Sequence, residues 1–359
     1  MSKENCGVCK KTSIGGQAVI EGIMMKGPEK TVLAVRTPEK EIVTEDVNFP
    51  NPAKKFKFLG WPIIRGVANF AVTMYVGMKT LMRSADLSGM TDLEEEQEQA
   101  KKDEKLRKKA EKKGISFEEM KQIEESKPKK LSNAVLGVVM TIGSVLGVAL
   151  SLFLFMYVPS VIFNALNSAC TSSVDFTFSA IENGALQNWR GFFEGVLKIA
   201  IFVGYMLLVS QMSDIKKLFQ YHGAEHKTIF CYEQGLELTV ENVRKQSRFH
   251  PRCGTSFMFL MIAVGIVFST LIVVFAPAVT KITVLWVAIK ILLVPLFCGV
   301  GYELIKFCGK HENLLTRIIA APGLWVQRIS TKEPEDKMIE VAIKAMEMVI
   351  PENPDLDKI

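Results

Sequence analysis

The chain has four histidines, His222, His226, His250 and His311, and the first three fall in one stretch of 222–250. The densest string is Tyr221-His222-Gly223-Ala224-Glu225-His226-Lys227. Residues i and i+4 leave a helix on nearly the same bearing, so His222 and His226 can present two imidazoles to one ion. Glu225 lies on the adjoining face, near enough to act as base on a water beside that ion. A second string, Phe249-His250-Pro251-Arg252-Cys253-Gly254, sets an imidazole and a thiol two residues apart in a Pro/Gly turn, from which both reach one tetrahedral ion. The candidate metal ligands are therefore His222, His226, His250 and Cys253, with zinc or another divalent transition metal as cofactor. Four such donors would close a structural site. Three donors plus water, with Glu225 as base, would make a catalytic one, and residue types leave that choice open. A surface helix whose histidines cap or pair with acids is the plainer alternative, and the clustering of three imidazoles with a thiol argues against it.

The elements that must position these residues belong to a membrane protein. Of 359 residues, 48% are hydrophobic and 23% charged, figures that coexist only in a chain segregated into apolar and polar stretches. Collagen-like, disulfide-framework and wholly disordered classes are excluded. Four apolar runs are long enough to cross a bilayer: 134–158, ending at Pro159, then 192–212, 257–278 and 282–302. A short turn from Pro277 to Lys281 joins the last two as a hairpin. Lys and Arg crowd the segments 1–133, 213–256 and 303–359, whereas 159–191 has only Arg190 and the 277–281 turn only Lys281. The positive-inside rule then places both termini and the central His-containing loop in the cytoplasm, and 159–191 outside it. The net charge of +6 is explained by those loops, and no nucleic-acid partner is expected. The first twenty residues have no apolar run behind their lysines, so no cleavable signal peptide is expected.

Residues 1–58 read as a small β-rich cytoplasmic module with turn signals at Gly15-Gly16, Gly27-Pro28 and Thr37-Pro38, and a hairpin about Pro38-Glu39-Lys40. Residues 59–86 space apolar side chains at helical intervals but include Arg65, Lys79 and Arg83, which predicts an interfacial amphipathic helix rather than a fifth span. Residues 87–133 are a charged cytoplasmic linker, whose 91–130 core alternates acidic and basic blocks. In the tail, 303–359, a helix over 335–349 puts Met338, Ile339, Ala342, Met346 and Val349 on one face. The fold class is thus an α-helical polytopic membrane protein with four transmembrane helices, both termini cytoplasmic, a β-rich N-terminal module and an interfacial helix.

Charges inside spans are functional suspects. Glu194 and Lys198 are spaced as an internal ion pair, Lys290 has no partner in its own span, and Pro295 can kink that helix. Glu303, at the cytoplasmic end of the fourth span, is a candidate further metal ligand. Cys6-x-x-Cys9 and Cys308-x-x-His311 together contain a full zinc set, but nothing in the sequence forces them together, and a pair of reduced thiols is the simpler reading.

The strings Gly15-Gly16-Gln17-Ala18-Val19-Ile20-Glu21-Gly22, Tyr221–Lys227, Thr239-Val240-Glu241-Asn242-Val243, His250–Gly254 and Pro322-Gly323-Leu324-Trp325 resemble those of the YqhQ family. This is a bacterial family of integral membrane proteins containing domain of unknown function 1385, and the likeness spans nearly all the chain outside 1–12 and 91–130. That family is described as predicted metal-dependent enzymes, so the resemblance implies metal chemistry in the inner membrane without a substrate, and it suggests that Gln17 and Glu21 face the His loop. The order His-x-x-Glu-His is also that of inverzincin peptidases. The function expected is a metal-assisted hydrolase at the cytoplasmic face, with Glu225 activating water. A non-enzymatic scaffold or assembly factor stapled by a structural ion is one alternative, and a transporter with a polar path through Lys290 is another. The partners expected are the lipid bilayer, a second copy of the chain and a cytoplasmic protein.

Overall fold

Alternating side chains build the N-terminal module. The computed structural model describes residues 11–90, 149–170, 189–311 and 313–357, with isolated positions between 107 and 147. Strands β1 (Gly15–Val19), β2 (Gly22–Lys26), β3 (Thr31–Arg36) and β4 (Ile42–Asp46) form an antiparallel meander in the order 1-2-3-4. The expected hairpin is present, with Arg36 opposite Ile42 and Lys40 turning at φ 70°. Period-two alternation sends Ile23, Met25, Val32 and Ala34 to one face and Met24, Leu33 and Val35 to the other. Both faces are covered.

Helix α1 (Ile64–Leu87) lays Val72, Val76 and Leu81 on the second face. The first face is covered by α4 (Ser213–Glu233) and by the last long helix, α10 (Asp336–Val349). The stripe expected on α10 is buried as a whole, from Met338 to Val349. The C-terminal segment is therefore no free tail. It completes the core of the N-terminal module, and Asp357 closes the arrangement by accepting hydrogen bonds from Thr12 Oγ1 (2.5 Å) and Tyr232 Oη (2.9 Å).

The apolar runs fold as helices. Among the described residues, three have the length and polarity to cross a membrane: Ala149–Asn167, α3 (Arg190–Val209) and α6 (Gly254–Phe275). A fourth is a broken pair, α7 (Thr283–Leu292) and α8 (Val294–Lys310), bent by 45° beside Pro295 as its sequence foretells. The first run needs correction. Its helix does not end at Pro159 but continues as α2 (Val158–Cys170) behind a π-turn at Phe153–Tyr157. A widened turn ahead of proline relieves the clash of its ring with the preceding turn, so the helix passes through it. The expected start of that run, the 91–130 linker core save for positions 107, 116 and 118, the Cys6/Cys9 pair and residues 171–188 lie outside the described residues. Between α4 and α6 runs the short helix α5 (Val240–Arg244), and α9 (Leu314–Ser330) joins α8 to α10. By contacts the chain divides into two units, Met1–Ser88 with Phe155–Ile359, and Gly89–Leu154. The sheet and the site lie in the first.

The charges inside the apolar helices are paired differently from the expectation. Glu194 binds Arg190 (Nε, 2.9 Å) and Lys290 (Nζ, 2.7 Å) and accepts from Trp286 Nε1 (2.9 Å), so its expected partner Lys198 is left aside. Lys290 also donates to Ser160 Oγ at 3.0 Å. Glu194, Arg190 and Lys290 are each at most 1% exposed. Three donors from two helices, Arg190 of α3 itself and Trp286 and Lys290 of α7, satisfy the carboxylate, which a single i,i+4 neighbour could not.

Candidate functional site

Helix α4 carries the first string, and its glycine explains how the site closes. A Cβ on Gly223 would stand 2.1 Å from the Lys332 carbonyl oxygen, so only glycine lets the 330–332 segment lie against the helix. That segment donates Lys332 N–H to Phe219 O at 2.8 Å and brings Ser330 O to 2.8 Å from His222 Nδ1. A carbonyl only accepts, so His222 carries its Nδ1 proton there. His226 does the same toward Arg248 O at 2.6 Å. Both rings therefore turn Nε2 inward, the arrangement that outer carbonyls impose on metal-binding histidines.

Cys253 reaches the same point from the N-cap of α6. Its Sγ is 3.1 Å from His222 Nε2, and one donor atom each from His222, His226 and Cys253 lies within 4.8 Å of the others. Burial opposes ionisation of Cys253, yet the two histidines outweigh it and hold the thiol well below its usual range. Burial likewise opposes the charge on His222, and the Cys253 sulfur overcomes it, raising the ring to about 9. Both shifts run in the direction of an imidazolium–thiolate pair, and the helix N-terminus favours the anion.

Glu225 lies close to this pair and lines the same cavity. It is 4% exposed, receives the Gly16 N–H, and its Oε2 has no partner among the described residues. Burial raises its carboxyl, against the opposing pull of His226 and His222. A Cβ on Gly16 would sit 3.1 Å from Glu225 Cδ and 2.8 Å from Met24 O, so β1 can approach only as glycine.

The remaining expected ligands go elsewhere. His250 lies beside His226 with tilted rings and centroids 5.5 Å apart, but its Nε2 faces Arg252 Nη2 (3.3 Å) and Glu233 Oε2 (3.8 Å). Burial lowers it to about 4, with Glu233 opposing. Its backbone is fixed by Gln327, which accepts from His250 N–H at 2.7 Å and donates to His250 O at 2.7 Å. Glu303 is not at the cluster. It is held bidentately by Arg65, with Arg65 Nε at 2.6 Å from its Oε1. Its helix has the right depth, but the residue faces α1. Gln17 and Glu21, expected to face the His loop, do meet it: Gln17 lines the same cavity as His222 and Glu225 while its amide lies against Gly77 of α1, and Glu21 binds Lys217 (2.9 Å) and Tyr221 Oη (3.1 Å) of α4. His311 caps α8 and stacks on Phe307, with no part in the cluster. Sequence reasoning missed the carbonyls of Ser330 and Arg248, which carry no side-chain signal. It also missed Gln327, a lone amide on an otherwise apolar turn of α9, which is such a signal.

A cavity of about 810 Å³ opens from the cluster, lined at one end by His222, Glu225, His226 and Cys253 and at the other by Phe202, Met261 and Phe297. This defines a class: a helical protein with, among the described residues, three or four helices of membrane-crossing character, whose polar end holds two oriented imidazoles, a cysteine sulfur and a half-satisfied carboxylate beside an apolar chamber. The family model "Protein of unknown function (DUF1385)" matches residues 61–352, and the chain belongs to that family. "Uncharacterized protein YqhQ" of Bacillus subtilis (strain 168) is 33% identical over 337 residues, covering 92% of this chain and 90% of that protein. No solved structure matches.

Proposed function

We propose that the chain is a multi-pass protein of the bacterial cytoplasmic membrane, with its sheet module and both termini on the cytoplasmic side. We propose further that His222, His226 and Cys253 hold a divalent transition metal in a hydrolytic site. The observation that carries this reading is the committed Nδ1 proton on each histidine, which leaves two Nε2 atoms and a thiolate converging beside the unsatisfied Glu225 Oε2. Three protein donors drawn from histidine and cysteine, with the fourth position open, is the layout of catalytic zinc. An ion there would supply Lewis acidity toward a carbonyl or phosphoryl oxygen. Its arrival would displace the Nε2 proton that His222 shares with Cys253.

Glu225 takes the proton of the attacking water and returns it to the leaving group, a role for which a carboxyl raised by burial is suited. The Gly16 N–H holds one oxygen and leaves the other for that transfer. A closed structural site is less well supported, because His250, the fourth donor it needs, is turned to Glu233 and Arg252. A transport path through Lys290 is disfavoured by its engagement with Glu194 and Ser160.

The test compares wild type with Glu225→Gln, each incubated with total membrane extract and followed by mass spectrometry. The variant is expected to keep its ion and to leave intact a species that wild type consumes. Identical profiles from the two proteins, both carrying the ion, would defeat the hydrolytic reading.

A further inference from the structure

Protein interiors contain few voids larger than a water molecule, so an 810 Å³ chamber in the middle of a helix bundle calls for an occupant. Its walls come from α1 (Phe70), α3 (Phe202) and α6 (Met261, Gly265), with Phe297 of α8 at the side. Two lining residues, Met74 and Met258, are 54% and 46% exposed, so the chamber opens laterally near α1 and α6.

Its length follows from how α3 and α6 meet. Gly191 lies against Ser269 and Thr270, and Gly195 against Ile266, so the helices are antiparallel and Lys198 comes level with about residue 263. At 1.5 Å per residue that is about 15 Å from Cys253, the half-thickness of a bilayer core. Lys198 lines the chamber at this level. Among the described residues it makes no hydrogen bond and no ion pair, since Glu194 is engaged by Arg190, Lys290 and Trp286.

We infer that the chamber holds a single aliphatic chain of a lipid-like amphiphile, and that Lys198 sets the length of chain it accepts. The polar head lies at His222, Glu225 and Cys253, and the chain runs between the phenylalanine and methionine side chains toward the centre of the bundle. An ammonium at the far end cannot be covered by a methyl terminus without losing its residual hydration, so the chain stops short of it. An extended chain of about twelve carbons spans about 15 Å. That this amphiphile is also the substrate rests on the hydrolytic reading above; that the chamber holds it does not.

The probe is a series of non-hydrolysable monoalkyl glycerol ethers, titrated into the purified full-length protein in nanodiscs and read by native mass spectrometry. Affinity should rise about fourfold per methylene, up to about twelve carbons, and then level off. Lys198→Met should move that limit to longer chains, and Met261→Trp, which fills the chamber, should move it to shorter ones. Chelator-treated protein should bind the series equally well, so loss of the metal reading would leave this result standing. Wild type that binds every chain length alike, or not saturably, would overturn the inference even if the protein carries its ion. An unchanged limit in folded Lys198→Met would remove the lysine from it. Should Lys198→Met not fold, the wild-type length profile and Met261→Trp still decide.

Discussion

Gly223→Ala is a one-methyl test of how the cluster is held. The added Cβ would stand 2.1 Å from Lys332 O, whereas real Cβ atoms essentially never come closer than 3.0 Å, so the 330–332 segment must withdraw by about 1 Å. Two hydrogen bonds depend on that segment, Lys332 N–H to Phe219 O and His222 Nδ1–H to Ser330 O. Alanine gains about 1 kcal/mol of helix propensity. Overpacking against backbone costs about 1–3 kcal/mol and each weakened hydrogen bond about 1 kcal/mol. The net is a loss of about 2–4 kcal/mol, or about 3–5 °C in thermal midpoint for a chain of this length. Gly204→Ala in α3, where nothing lies within 4 Å of the new Cβ, is the control, expected to be neutral or slightly stabilising. Thermal unfolding in one detergent, followed by far-UV circular dichroism, compares the two. A Gly223→Ala protein as stable as Gly204→Ala would refute the reasoning.

Other outcomes follow from the same geometry. Glu303→Gln should leave metal content at the wild-type level and cost at most about 1 kcal/mol, because its ion pair with Arg65 is partly exposed; metal analysis with thermal unfolding checks both. Glu194→Gln should destabilise by about 3–5 kcal/mol, since it strands Arg190 and Lys290 in a buried site, and the same unfolding assay reads it. Ile339→Ala should cost about 2–5 kcal/mol and raise the proteolytic susceptibility of the N-terminal strands, because its side chain fills the core they share with α10. Limited proteolysis with N-terminal sequencing would detect it.

Much of this molecule is legible in local pattern. An uncharged apolar run marks α6, a long apolar run broken by Glu194 and Lys198 marks α3, Pro295 marks the bend between α7 and α8, and the Pro38-Glu39-Lys40 turn marks the hairpin of β3 and β4. The i,i+4 spacing of His222 and His226 does place both rings on one side of α4. What local pattern does not carry is the partner. The apolar face of α10 is plain in 338–349, but its docking on β2 and β3 joins segments some three hundred residues apart. Depth along a helix is likewise legible while its rotation is not, which is why Glu303 points to Arg65 instead of the cluster. Arg190, four residues before Glu194, was readable as its partner, yet Lys198 satisfies the same spacing on the other side. Lys290, from another helix, leaves Lys198 without that role. His250 was grouped with Cys253 on spacing alone, and a Pro/Gly turn lets two neighbours face opposite ways.

The central claim is that two imidazoles and one thiolate bind one ion. X-ray absorption on protein purified in detergent without added metal is the most direct measurement. It should find about one transition ion per chain, with two nitrogen neighbours at about 2.0–2.1 Å and one sulfur at about 2.3 Å, and the sulfur should vanish in Cys253→Ser. Protein free of any stoichiometric transition metal, or an ion whose shell keeps its sulfur in Cys253→Ser, would contradict it.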